Sequence, residues 1–337
     1  MVKKYTLLFI AILTTILAQA QDKHFSQYWA SPINLNPAFT GKFDGSVRVA
    51  GNYRNQWPEI NNAFVTQSVS ADFHVGANKI SETDTWGFGI TAFTDKSASG
   101  VLQENNIALS TAYHKGLDED GNNQLGVGFQ VGYIQKTLTT TSDKLRFGDA
   151  LTPNGWTGIS TDVLANKSLT ASHFDLNAGL LYSGSTSESN NFYAGVSMYH
   201  ITRPKETFIG ANYYANPRYT MYGGGYFSVG ANATLYASAM HSSQAKASET
   251  LVGTALGITP NPDALKPSTL FAGVWTRLGD AVIPYLGIEV NDFKFGFSYD
   301  VNVSKLRTAS NSQGGIEISL IYIKKPNNEK GIPCPKF

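Results

Sequence analysis

Phe293-Lys294-Phe295-Gly296-Phe297-Ser298-Tyr299-Asp300-Val301-Asn302-Val303, close to the end of a 337-residue chain, is the stretch that decides the fold. In an extended chain successive side chains point to opposite faces. Phe293, Phe295, Phe297, Tyr299, Val301 and Val303 therefore share one face, and Lys294, Gly296, Ser298, Asp300 and Asn302 share the other. A soluble sandwich would turn the oily face toward a core, whereas an outer-membrane barrel turns it toward lipid. On the lipid reading, an arginine at Phe295 is expected to be damaging and an arginine at Ser298 mild.

The rest of the chain favours lipid. Charged residues are only 15% of the sequence, with 32 glycines and 17 tyrosines, a composition suited to a barrel with aromatic girdles. Residues 1–20 read as a secretion signal: Lys3 and Lys4, an apolar run from Tyr5 to Leu17, and Ala18-Gln19-Ala20 as a small-x-small cleavage site ending at Ala20. Loss of Lys3 and Lys4 takes the formal net charge from +1 to −1, which argues against nucleic acid as a partner. The one cysteine, Cys334, excludes an intrachain disulfide.

Strand-like runs of about ten residues, the length a tilted membrane strand needs, follow an irregular aromatic segment. The expected organisation is a signal peptide (1–20), a periplasmic N-terminal arm (21–44), a barrel (45–323) and a periplasmic tail (324–337). The first strand, Val47 to Gln56, carries Arg48 and Arg54 on one face. Two arginines on one face cannot meet hydrocarbon, so that face is the lumen, where Lys294 also belongs. Further strands begin near Val65, Trp86, Asn106, Gln124, His173, Phe192, Arg218, Asn232, Thr250, Thr269, Ala281, Phe293 and Gly315. The expected fold is thus an all-β transmembrane antiparallel barrel of about 14 strands. An even count puts both termini in the periplasm. Connections are compact at one end (Gly116 to Asn123, Val229 to Ala231, Asn291-Asp292) and long at the other (Leu138 to Ser172, Thr202 to Pro217). The long-loop end is the outer one.

No enzymatic chemistry stands out. Gly126, Gly128 and Gly132 alternate with Val127, Phe129 and Val131, which places them on the inward face of a strand and not in a phosphate loop. The six histidines lack metal-ligand spacing, and no nucleophile elbow or His-Glu-x-x-His motif occurs. No catalytic residue, metal ligand or cofactor is assigned. Two aromatic groups do stand out. Phe25, Tyr28, Trp29 and Phe39 lie around Pro32 and Pro37 in the arm, composed to plug the barrel by packing inside or across its periplasmic mouth. Trp57, Phe147, Trp156, Phe208, Tyr213 and Tyr214 lie in outer loops, where exposed aromatics are typical anchors of protein contacts.

The run Asp22-Lys23-His24-Phe25-Ser26-Gln27-Tyr28, with Pro32, Asn36-Pro37-Ala38-Phe39-Thr40-Gly41 and Tyr53-Arg54-Asn55-Gln56-Trp57, resembles the start of the PorP/SprF family. His200-Ile201-Thr202-Arg203-Pro204 and Cys334-Pro335 extend the resemblance along the chain. It implies a non-enzymatic barrel in the outer membrane of a Gram-negative Bacteroidetes bacterium, working in type IX secretion and gliding motility. The implied partners are a secreted adhesin, bound at the outer face through its C-terminal domain, and periplasmic components of the machinery. The sequence does not separate a barrel that holds an adhesin from one that anchors the machinery, and the aromatic loops favour the former. The alternative is a porin-like diffusion channel whose selectivity Arg48, Arg54 and Lys294 would tune.

Overall fold

The computed structural model describes residues 22–60, 63–75, 83–141, 144–187, 189–210, 212–262 and 267–325. Ala20 and Cys334 lie outside them. The barrel strands are β1 (Val47–Gln56), β2 (Phe64–Val75), β3 (Thr85–Ser97), β4 (Leu102–Gly116), β5 (Asn123–Thr139), β6 (Ser168–Ser187) and β7 (Asn190–Tyr199). They continue with β8 (Arg218–Ser228), β9 (Ala233–Gln244), β10 (Ala247–Ile258), β11 (Ser268–Arg277), β12 (Ala281–Val290), β13 (Phe293–Asn302) and β14 (Gln313–Lys324). Each pairs antiparallel with its sequence neighbours, and β1 closes on β14 from Val47↔Lys324 to Gln56↔Gly315. Closure leaves no open edge, which is what lets a sheet span a membrane. No helix among the described residues is long and apolar enough to cross one.

The alternation read from the sequence becomes an inside-out burial pattern. On β13, Phe293, Phe295 and Phe297 are exposed on the outer surface while Ser298, Asp300 and Asn302 are buried inside. On β2, Val69 is 50% exposed and Asp72 1%. The polar face is the protected one, as a lipid-facing barrel requires. Tight turns set the register at both ends: Asn291-Asp292 joins β12 to β13 with Asn291 at a φ of 56°, a left-handed conformation that asparagine tolerates.

Two features differ from the sequence reading. First, β5 and β6 run on to Thr139 and back from Ser168, 17 and 20 residues long, so the longest loop shrinks to 140–167. The extension escapes a search for alternating oily residues because its outward face is polar there, with Thr137, Thr139, Ser168 and Thr170. Second, the arm is not a periplasmic appendage. Phe25 to Phe43 is almost wholly buried inside the barrel, coiled into short helical turns at Tyr28–Ala30, Pro32–Leu35 and Pro37–Phe39. Pro32 and Pro37 each open a turn, where the fixed φ of proline suits the first helical position and its missing N–H costs nothing.

Candidate functional site: the filled lumen and the outer rim

The arm supplies the apolar core that a polar-lined barrel lacks. Trp29 stacks on Trp275 with ring centroids 4.1 Å apart and meets Tyr285 edge-on at 5.5 Å. Phe39 stacks on Tyr222 at 5.4 Å, and Phe25 meets Phe93 edge-on at 6.4 Å. Tyr28 donates its hydroxyl to Ser238 at 2.7 Å. The four arm aromatics, expected inside or across the periplasmic mouth, lie spread through the lumen.

Inward-facing glycines make room for the arm. A Cβ at Gly128 would fall on the backbone of Pro37 and Ala38, one at Gly179 on the amide of Asn36, one at Gly87 on the carbonyl of Thr40, and one at Gly296 on the side chain of Gln27. Four positions on β3, β5, β6 and β13 thus trace the arm's path along the wall. Asn36 exploits its approach fully. Its Nδ2 donates to the carbonyls of Leu180 and Val196, both at 3.0 Å, and to the Tyr222 hydroxyl at 2.7 Å, while its Oδ1 caps the next turn at the Ala38 amide.

Charged side chains from the wall then fix the arm's backbone. Glu317 accepts from the backbone N–H of Ser26 (2.7 Å) and Gln27 (2.9 Å), and pairs with Arg54 at 3.2 Å. Asp300 bridges Arg54 (3.0 Å) and Arg277 (3.1 Å) and accepts the Ser26 hydroxyl at 2.9 Å. Lower down, Arg48 forks onto Asp72 at 2.9 and 2.8 Å and donates to the Phe39 carbonyl at 3.0 Å, while Asp72 accepts the Gly41 N–H at 2.7 Å. Charges taken out of water need both an opposite charge and further hydrogen bonds, and here the arm's backbone supplies part of the second. Arg48 and Arg54 lie on the lumen face but not in an open aqueous pore: they are 3% and 2% exposed and committed to the arm. Lys294, also facing inward, stands 4.5 Å from the Phe271 ring centroid.

The sequence reading puts Asp72 and Asp300 on inward polar faces without giving them a role, and it singles out neither Arg277 and Glu317 nor, as contact residues, Ser26, Gln27 and Asn36 of the arm. A signal existed for the wall residues, since each occupies the polar face of an alternating strand by the same parity that singles out Arg48. Nothing in the sequence says which of them meet.

The head of the arm lies among residues at the long-loop end. Asp22 contacts His200 at 2.8 Å and Arg218 at 3.4 Å and accepts from Gln244 at 3.0 Å. Lys23 pairs with Glu104 at 2.7 Å, and His24 lies 3.2 Å from Glu249. His200 also lies 2.9 Å from Asp175. Burial alone would depress its pKa, but Asp22 and Asp175 outweigh burial and push it up to about 10. Burial would likewise raise the pKa of Asp22, yet His200 and Arg218 hold it well below the usual carboxylate range. Beside this head lies a cavity of about 100 Å³, lined in part by Asp22, Phe25, Gln130 and Asn177. A second, of about 200 Å³, lies toward the other end beside Trp29, Phe43 and Lys294.

The outer loops divide the six expected anchor residues. Trp57 is half-buried against Phe64, with centroids 5.7 Å apart, and Trp156 lies under the Arg146 guanidinium at 5.1 Å. Phe147 and Phe208 are also half-buried. Only Tyr213 and Tyr214 are exposed, and the most exposed apolar groups in these loops are aliphatic: Leu151, Ile159, Val163 and Ile209, at 68 to 84%. Among the described residues no cluster of His, Cys, Asp and Glu could hold a metal ion.

A closed barrel of fourteen strands, apolar outside, ionic inside and filled by its own N-terminal segment, defines an outer-membrane β-barrel protein. Residues 17–322 match the family described as type IX secretion system membrane protein PorP/SprF, and the chain belongs to that family. A comparison with curated proteins gives no match. Among solved structures the chain is similar to the toluene transporter TbuX of Ralstonia pickettii, at 10% identity over 88% of this chain and 93% of that one, TM-score 0.49. It is similar to a FadL homologue of Pseudomonas aeruginosa at 10% identity, over 85% and 92% of the two chains, TM-score 0.44. It is also similar to the NanC porin, at 10% identity over 83% and 100%, TM-score 0.41.

Proposed function

We propose that this protein is a closed interaction barrel of the type IX system, which holds a secreted substrate at the outer face and does not conduct solutes. The observation that carries this reading is the hydrogen-bonded lock between the arm and the charged wall: Ser26 and Gln27 are tied to Glu317, Asp300 and Arg54 inside the lumen. A diffusion channel needs that space empty. The outer loops, with four strongly exposed aliphatic side chains beside Tyr213 and Tyr214, offer the apolar contact that a bound protein would cover. The family supplies the class of partner, and the C-terminal domain of a secreted adhesin is the part that the resemblance implies.

Planar-bilayer recording tests the closed state. The unmodified barrel should be silent, whereas deletion of residues 22–41 should give steady conductance steps. Gly128→Val is a second opening variant, because its side chain would occupy the place of the Ala38 backbone. Steady large conductance from the unmodified barrel would overturn the proposal. Co-purification from detergent-solubilised membranes tests the partner, and recovery of the barrel without any secreted type IX substrate would refute that part.

A further inference from the structure

The direction in which the arm runs through the lumen fixes where the mature chain begins. Asp22 touches His200, which directly follows β7, Arg218, which opens β8, and Gln244, which ends β9. All three stand at the long-loop end, and so do the Glu104 and Glu249 partners of Lys23 and His24. The other end of the arm lies at the opposite rim. Phe43 packs on His74, next to last in β2, at a centroid distance of 5.2 Å, and the Ser46 N–H donates to the Lys324 carbonyl at 2.8 Å. Between these ends the chain descends with one reversal: Ser26 and Gln27 bind the outer half of β13 and β14, Trp29 lies beside the cavity toward the opposite end, Ile33 and Leu35 return to Tyr199 and Ser197 in the outer part of β7, and Asn36 and Gly41 then lead down to Asp72 low on β2.

From this threading we infer that the mature chain starts at the cell surface. Asp22, Lys23 and His24 form the floor of the outer vestibule that a surface-held partner would cover. The arm crosses the thickness of the membrane inside the barrel and enters β1 from the periplasmic rim. Ion pairs at Asp22 and Lys23, and hydrogen bonds from Ser26 to Glu317, from Arg48 to the Phe39 carbonyl and from Gly41 to Asp72, hold it at successive depths, so it has no freedom to slide down and present its start to the periplasm. Two consequences follow for assembly. The arm must be in place before β1 closes on β14, because its charged contacts come from strands all around the wall. The apolar targeting segment must be gone by then, because it would have to be drawn through a lumen lined with charged side chains. The inference concerns topology and stands whether or not the barrel carries a secreted substrate.

The test is a short epitope inserted between Gln21 and Asp22, probed with antibody on intact cells and again after permeabilisation. One control places the epitope at Asn154 in the long outer loop, and another places it after Phe337. The inserted epitope should match the loop control on intact cells, while the C-terminal epitope should need permeabilisation. Detection only after permeabilisation would overturn the inference. A chemical counterpart avoids the insertion: Asp22→Cys in a Cys334→Ser background, treated with a membrane-impermeant maleimide. Labelling on intact cells equal to that of the detergent-solubilised barrel supports a surface start, and labelling confined to the solubilised barrel refutes it. Heat-modifiable migration on gels establishes that each variant has folded before it is scored.

Discussion

His200 and Asp22 form a pair whose two members titrate at opposite ends of the pH scale. His200 has its pKa raised to about 10 in the folded protein, against about 6.5 in an unfolded chain. Its contribution is therefore complete below about pH 6.5 and is lost as pH rises through about 10. Asp22 is shifted the other way, so its contribution is present above its ordinary pKa of about 3.9 and is lost as acid protonates it. Asp175, Arg218 and Gln244 surround the pair. The head of the arm should accordingly be held through neutral pH and released on strong alkalinisation. Amide exchange at Lys23 and His24, followed from pH 7 to 11, should accelerate near pH 10 beyond the intrinsic base-catalysed rate. His200→Gln should abolish that step and leave exchange fast at pH 7. A step unchanged in His200→Gln would show that another group governs release. Two of the stretches that carry the family resemblance, one opening the arm and one after β7, meet at this pair.

At the scale of the strand, the face assignment and the energetics separate. The parity of β13 was legible residue by residue, because lipid on one side and a polar lumen on the other impose strict alternation. The expectation that Ser298→Arg would be mild does not survive the structure. Ser298 is fully buried and accepts a hydrogen bond from Gln27 at 3.0 Å, so the lumen there is packed protein and not water. Overpacking together with a new unpaired charge should cost on the order of 3 kcal/mol. That is comparable to the ~2–4 kcal/mol expected for Phe295→Arg on the lipid face. Urea titration of the folded barrel in detergent micelles measures both. The two should part on a different readout, since Ser298→Arg should also expose the arm to protease and Phe295→Arg should not. A Ser298→Arg barrel with wild-type stability would mean that the arm does not occupy this part of the lumen. The arm's aromatic content was readable from the sequence, but its placement was not. Its anchors on the wall are single polar residues and glycines dispersed over β1, β2, β3, β5, β6, β11, β13 and β14, and only closure of the barrel brings them into one lumen.

At the scale of the whole molecule, the two ends of the barrel are built for different tasks, and the structure redistributes the outer one. The sequence drew attention to large aromatics, because they dominate interface energetics in general. In the folded loops Trp156 is spent on Arg146, and Trp57 on Phe64. The short hairpin of Leu151–Thr152 with Gly155–Trp156 turns Leu151 outward. Ile159 and Val163 follow at 77 and 84% exposure, and Ile209 stands out of the next long loop at 70%. Isolated exposed aliphatics need no explanation, but four strongly exposed ones concentrated on the two longest outer loops are candidates for contact with a bound protein. If this surface grips the secreted partner, replacing Leu151, Ile159 and Val163 by Ser should weaken binding by at least about tenfold, for a loss of 1.4 kcal/mol or more. Trp156→Ala should act mainly by loosening the loop, so a disulfide designed to brace that loop should restore binding to Trp156→Ala and not to the triple variant. The measurement is the amount of secreted substrate retained on cells at matched barrel levels. Full retention in the triple variant would remove these loops from the binding surface and leave Tyr213, Tyr214 and the head of the arm as the remaining outward contacts.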